Sequence, residues 1–396
     1  MSARRPLALL TALALVVTAC SGPILANEPL DFPTPPVPTE RPAAPPDPIP
    51  VAFPRDDGPH DRLTEWWYYT GHLRTAEGRP FGFEAVIFRA ERGSLPTGWT
   101  AHLALTDEAG TKFHYAQRFE VGAQVDRSPR APDGQPTGFD LGIRGLNPEV
   151  LGGSGLGGAG PIALAGEPWR LAGANGVDQI EAALTPEEAA AAGASFGLRL
   201  DLSAVKAPAL HDGDGFLSFG PAGSSYYYSR TRLEATGELE LDGERFDVEG
   251  IAWFDHQWGD YISVGGGWDW FAINLDDGSD LTFSLVRDAQ ERVVLAYGTR
   301  VDPTGVVTHL DADAFEVDEG STWTSERSGV TYPGGWTILT GDLRIDLKPT
   351  VADQELDTRA TTGVIYWEGS QEVDASRNGV PLGGEAYVEI TRYRAP

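Results

Sequence analysis

The sequence predicts an all-β protein built as two antiparallel barrels or sandwiches, carried behind an export signal and a proline-rich tether. Three observations predict this. Aromatic and β-branched runs of strand length recur from residue 63 to the end of the chain. Short turn signals, rather than helices, separate them. Only one segment carries a helix-start signature.

The chain has 396 residues, enough for two domains of ordinary size. Hydrophobic residues make up 41% of it, so a sizeable core is possible. The formal net charge is −28, a balance that repels nucleic acid and anionic lipid. Nucleic acid is therefore not expected as a partner. Arg4 and Arg5 form a positive n-region, and Leu7–Val17 is an apolar stretch too short to span a bilayer comfortably. Val17-Thr18-Ala19-Cys20 follows and resembles the lipobox of bacterial lipoproteins, in which the cysteine is lipidated. Cys20 is the only cysteine in the chain, so disulfides and Cys-based zinc sites are ruled out. Residues 1–19 then read as a lipoprotein signal peptide. Residues 20–55 read as an extended tether, with 12 prolines between Pro23 and Pro54. An exported protein, lipid-anchored at the cell envelope and held clear of the membrane, is the expected arrangement.

The strands follow in order. Leu63–Thr75, Arg79–Ala90, Thr100–Thr106 and Lys112–Phe119 are separated by turns at 76–78 and 107–110. Phe81 to Phe88 alternates as a half-buried strand should. The glycine-rich stretch Gly152–Gly160 lacks a Gly-Lys-Ser/Thr ending and is not a phosphate loop. Thr185-Pro-Glu-Glu188 is a capping signal that starts a short peripheral helix through Ala189–Ala192. Phe196–Leu202, Tyr226–Thr236, Gly237–Leu241 and Arg245–Phe254 continue the strands, with a hairpin turn at Leu241–Glu244. Trp268–Leu275, Asp280–Arg287, Val293–Val301, Gly305–Asp311, Asp313–Glu319, Trp336–Leu339, Asp342–Pro349, Val364–Glu368 and Gly384–Tyr393 complete the set. The division between domains is expected beside Asp255–Gly265, giving domains of 56–257 and 258–396.

Chemistry concentrates in Gly250–Tyr261 and its echo Gly267–Trp270. There Asp255, His256 and Asp269 stand among Trp253, Trp258, Trp268 and Trp270. Indoles are costly to expose, and a carboxyl or imidazole buried among them is desolvated and its pKa pushed. Acid–base catalysis needs such groups. The competing reading makes the tryptophans core, with Asp255 and His256 pairing to close a strand. Upstream, Glu65 and Trp67 share one face of a strand in Glu65–His72, where Glu65 either lines a pocket or pairs with an arginine such as Arg89. His102 sits in an otherwise apolar strand, as a satisfied core residue or a pocket group. Tyr226 and Tyr228 share a face and suit either a large apolar ligand or a core with hydroxyls at its rim. Glu65 and Asp255 as paired glycosidase carboxylates are possible by residue type only. His211–Gly215 is read as a turn rather than a calcium loop. The absence of His-x-His and His-Glu-x-x-His argues against a metal site, and the absence of Gly-x-Ser-x-Gly against a serine hydrolase of the usual α/β type.

Several of these stretches together resemble the AttH-like, carotenoid 1,2-hydratase-like family. They are Glu65–His72, Ala101–Asp107, Ser225–Ser229, Gly250–Gly259, Gly267–Phe271, Tyr332-Pro333 with Trp336, Tyr366–Gly369 and Gly384–Tyr393. The resemblance implies two lipocalin-like β-barrels and, in the hydratase reading, hydration of an isolated isoprenoid or polyene alkene without a cofactor. His256 and Trp258 match the catalytic His/Trp region, whereas Phe283-Ser284-Leu285 stands where a Tyr-x-Asp element is expected. Asp269 is the conjectured substitute. The expected mechanism has Asp255 or Asp269 protonate the alkene, Trp258, Trp270 or Tyr226 hold the cation, and His256 or Glu65 orient water. Glu65, Trp67, His102, Tyr226, Tyr228, Trp258 and Trp270 would line the pocket. The alternatives are a non-catalytic carrier of a hydrophobic ligand and a hydrolase of the kind bacterial members are often labelled.

Overall fold

A computed structural model describes residues 47–145, 167–261 and 266–392. Cys20, the expected signal peptide, most of the expected tether and the stretch 152–160 lie outside the described residues.

Alternating apolar positions and short turns build a first sheet of 12 strands. Its strands are β1 (Thr64–Thr75), β2 (Pro80–Ala90), β3 (Gly98–Asp107), β4 (Lys112–Val121), β5 (Phe139–Ile143), β6 (Trp169–Ala174), β7 (Val177–Ala183), β8 (Phe196–Ala204), β9 (Ala209–Leu210), β10 (Phe216–Ser218), β11 (Gly223–Leu241) and β12 (Glu244–Tyr261). They run β4-β3-β2-β1-β12-β11-β8-β7-β6-β5, all antiparallel, with β9 and β10 added beside β11. The sheet curls until its edges meet. Arg118 on β4 donates to the carbonyl of Ile143 on β5 (3.1 Å), and the backbone N–H of Arg144 donates to Glu120 (2.7 Å).

The second sheet has 11 strands. After β13 (Gly267–Leu275), β14 (Asp280–Arg287), β15 (Val293–Val301) and β16 (Val307–Asp311) come β17 (Glu316–Glu319), the separate hairpin β18 (Thr322–Thr324) with β19 (Thr331–Pro333), and β20 (Trp336–Thr340). The chain ends with β21 (Leu343–Pro349), β22 (Glu355–Asp357), β23 (Ile365–Arg377), β24 (Val380–Leu382) and β25 (Gly384–Arg392). The order is β16-β15-β14-β13-β25-β23-β21-β20-β17. The two near-barrel antiparallel sheets are the two-domain lipocalin-like architecture expected. Each interior is filled by its own apolar cluster, one around Trp67, Phe83, Leu105 and Phe254, the other around Phe271, Phe283, Ile345 and Trp367. A smaller cluster of Tyr68, Val86, Trp253, Trp270, Ala272 and Tyr387 joins the outer faces of both.

The Asp242-Gly243 turn has φ of 51° and 82°, as a two-residue hairpin between β11 and β12 requires. The capped helix is present as α1 (Pro186–Ala192), with the reciprocal Thr185–Glu188 capping box and Gly193 in the left-handed conformation at its end. Three points differ from expectation. The strand β12 stays paired with β1 as far as Gly259 and the second sheet starts at Gly267, so residues 258–261 belong to the first barrel. The tether does not run to residue 55, because Val51 and Phe53 already pack on the first core and Asp56 and Asp57 are buried. The strands β5, β6 and β7 escape the sequence reading. In β7 the pattern is inverted, with Asp178 buried against the Tyr69 hydroxyl (2.9 Å) and Val177 exposed.

Candidate functional site

The wall formed by β1, β11 and β12 separates two groups of polar residues. Successive side chains on a strand point to opposite faces, so Asp255 and His256 stand back to back. Glu65, Trp67, Tyr226, Tyr228, His256 and Trp258 face the interior of the first barrel. Asp255, His102 and Trp270 face the junction between the barrels. Asp269 points to a third place, the interior of the second barrel, where Arg287 binds its carboxylate at 2.5 Å. The expected grouping of Asp255, His256 and Asp269 in one site is thus corrected by strand alternation. Glu65 and Asp255 are likewise on opposite faces and form no carboxylate pair.

At the junction, Asp255 lies buried beneath Trp253, whose indole N–H donates to it at 2.6 Å. The Tyr227 and Ser229 hydroxyls donate to its two oxygens. Trp270 in turn donates to the Tyr227 oxygen (3.0 Å). Burial pushes the Asp255 carboxyl up to about 6 against the pull of these donors. Every neighbour that bonds Asp255 donates, which makes it an acceptor. His211 bonds Ser229 (2.8 Å) and Thr299 (2.9 Å), and burial pushes its imidazole down to about 3, so it is neutral.

Three glutamates complete the junction. Glu368 and Glu389 are directly opposite on β23 and β25, and Glu84 reaches in from β2. Glu84 and Glu368 are buried, and Glu389 is half-buried. Tyr68 donates to Glu368 Oε1 (2.7 Å), and Tyr366 donates to Glu84 Oε1 (2.8 Å). The Oε2 atoms of Glu84 and Glu368 have no partner among the described residues. Trp268 (3.0 Å) and Thr391 (2.9 Å) both donate to Glu389. Burial raises all three carboxyls; repulsion from the neighbouring glutamates adds to it for Glu84 and Glu368, which go well up, and the Asp255 charge adds to it for Glu389, which goes to about 7. His102 is bonded to the Tyr366 hydroxyl (2.7 Å) and held neutral by burial, so it orients a tyrosine that binds Glu84.

Inside the first barrel, Glu65 lies 2.7 Å from His60 Nδ1 and 3.0 Å from His256 Nε2. Burial pushes the Glu65 carboxyl up, but the two imidazoles outweigh it and hold it below the ordinary range. Arg89, the expected partner, is only at 4.0 Å. Tyr226 stacks on Trp258, and Tyr228 donates to Asp57 (2.7 Å), which also pairs with Arg230 (2.8 Å). These tyrosines are packed, not facing an open calyx. Small side chains such as Ala85, Ala101 and Ala182 leave a gap of about 10 Å³ in this barrel, room for no more than a single water. Ligand pockets usually enclose roughly 300–1,000 Å³.

Sequence reasoning passed over Glu84, Glu368, Glu389 and His60. Glu368 and Glu389 stand in stretches it noticed, Tyr366–Gly369 and Gly384–Tyr393. A glutamate on the same strand face as buried tyrosines was the available signal, but the pairing of β23 with β25 that sets them side by side was not readable.

The AttH-like family model matches residues 43–138 and 151–393. The crystal structure of an AttH protein from Nitrosomonas europaea is 30% identical, with a TM-score of 0.68, covering 87% of this chain and 98% of that one. Kievitone hydratase from Nectria haematococca is 15% identical with a TM-score of 0.60, covering 87% of this chain and 93% of its own, and shares the fold. No curated protein matches the sequence.

Proposed function

The chain belongs to the AttH-like family, and from its junction we propose a hydratase or isomerase that acts, without a cofactor, on an apolar isoprenoid or polyene alkene. One observation carries the reading: Glu84 and Glu368 are fully buried among aromatic rings beside the half-buried Glu389, with the Oε2 atoms of Glu84 and Glu368 unpartnered among the described residues. Protonating an unactivated alkene needs a carboxylic acid that keeps its proton at neutral pH. Tyr68 occupies Glu368 Oε1, which leaves Oε2 to carry that proton. The alkene π pair takes it, forming a tertiary cation. Asp255, held as an acceptor, and the faces of Trp253 and Trp270 stabilise the cation. Water adds, and its spare proton returns to the glutamate pair, so the net change is addition of one water. Loss of a neighbouring proton instead would give isomerisation. This reading moves the acid from Asp255 to Glu368. The fold shared with kievitone hydratase supports hydration as the reaction class.

The test is incubation of the protein with squalene, an acyclic isoprenoid alkene, in D₂O, followed by mass spectrometry. Deuterium at an alkene carbon, with or without added water, is expected. Glu368→Gln is expected to slow it by about 10²–10⁴-fold, the usual contribution of a general acid. Full turnover by Glu368→Gln would remove the assigned acid. Binding with no deuterium uptake by the wild type would favour the carrier.

We further propose that Cys20 anchors the protein at the cell envelope. Cys20→Ser is expected to abolish incorporation of labelled fatty acid and release the protein from the membrane fraction.

A further inference from the structure

On the barrel side of the wall we infer a binding site for one divalent transition-metal ion, zinc by the chemistry of its donors. His60, Glu65 and His256 each offer one ligating atom, and these atoms lie within 4.8 Å of one another. Two imidazoles and one carboxylate form the protein donor set of open four-coordinate zinc sites. The site is independent of the junction carboxylates, from which β12 separates it. No short motif announces it. His60 precedes β1, Glu65 is near the start of β1, and His256 joins them only because β1 and β12 pair with Trp67 opposite His256.

The surroundings fix the donors before any ion arrives. Asp56 Oδ1 lies 3.2 Å from His60 Nε2, behind the ring whose Nδ1 faces Glu65. A carboxylate behind a ligating imidazole sets its tautomer and raises its basicity. Asp56 is itself fixed by the Ala52 backbone N–H (2.7 Å) and the Arg55 guanidinium (2.5 Å). The His60 ring lies flat on Trp258, with centroids 4.0 Å apart and planes 1° from parallel. His256 stacks on Trp67 at 4.7 Å. The His60 backbone N–H donates to both Glu65 oxygens, at 3.0 and 3.2 Å, and so orients the carboxylate. Glu65 supplies one negative charge directly to a dication, while the charge of Asp56 is shared with Arg55. The His60 side chain is 18% exposed, which gives the ion a way in.

The competing arrangement is a hydrogen-bonded His–Glu–His chain that holds no ion. To separate the two, the full-length chain is stripped with a chelator, dialysed against zinc chloride and assayed by atomic emission. One retained equivalent per chain is expected, with a raised melting temperature. Cobalt loaded in its place is expected to show the visible bands of a tetrahedral nitrogen–oxygen site. His60→Gln and Glu65→Gln are each expected to lose the equivalent and the bands while keeping the wild-type circular dichroism spectrum. A wild-type chain that retains no zinc overturns the site, as does a His60→Gln chain that retains as much as wild type. Thiolate charge-transfer bands would put the metal on Cys20 and also overturn it. If both variants fail to fold, the wild-type cobalt spectrum decides alone, and absence of the bands refutes the proposal.

Discussion

Glu368 and Glu389 face each other across two neighbouring strands. With Glu368 buried and Glu389 half-buried, loss of water keeps both carboxyls protonated, and the Glu389 charge adds repulsion at Glu368. The folded chain therefore holds these protons more tightly than the unfolded chain, in which a glutamate titrates near 4.5. Below that value both states are protonated and the folded state bears no cost. As pH rises through the folded value, about 7 for Glu389, the stabilisation is lost. The melting temperature is expected to fall between about pH 5 and pH 8, and Glu389→Gln to flatten the decline. An equal slope in variant and wild type would show that Glu389 is not a source of it. The same residues mark how far the sequence could be read. Burial of Asp255 and His256 among indoles was legible from composition alone. Their separation was legible too, since adjacent strand residues cannot share a face. The approach of Glu84 to Glu368 was not, because it depends on how two sheets pack, and no local pattern encodes that.

Most strands were legible as elements, because turn chemistry punctuates them: Asp280–Arg287 and Val293–Val301 have the bounds read from sequence. Interruptions misled the reading of the longest strands. Gly237 suggests a break, yet β11 runs through it as a single strand of 19 residues; β12, read as Arg245–Phe254, runs for 18 residues through Gly250. A glycine within a strand often marks a close backbone approach, and this one does. A Cβ at Gly250 would stand 1.9 Å from the His72 carbonyl oxygen and 3.0 Å from the Leu73 Cα, both backbone atoms of β1. Gly250→Ala is expected to cost about 1–3 kcal/mol, as overpacking does when the obstacle cannot rotate away. Urea denaturation measures it, and a midpoint equal to wild type would mean that β1 yields freely.

The two barrels are fastened by more than apolar contact. Asp280 on β14, fully buried, accepts from Lys206 (2.6 Å), Thr231 (2.8 Å), Arg232 (2.7 Å) and Asn274 (2.7 Å). Lys206, Thr231 and Arg232 come from the first barrel. A register shift in β11 between Arg230 and Leu233 turns Thr231 and Arg232 toward the second. Asp280→Ala would leave two cations without their buried partner, and a loss of about 3–5 kcal/mol is expected. Calorimetry of the wild type should show one transition, since both sheets share a junction of aromatic rings and this lock. Two resolved transitions would mean that the barrels melt separately.

The back-to-back arrangement along β12 has a practical consequence for protein engineering. Phe254, His256 and Trp258 can be randomised as one library, and Trp253, Asp255 and Gln257 as another. The first rewrites the packed interior of the barrel, and the second rewrites the acidic junction beyond it. Winners selected separately can be interleaved residue by residue on a single strand, giving a two-compartment scaffold in which parity of position decides which chemistry changes.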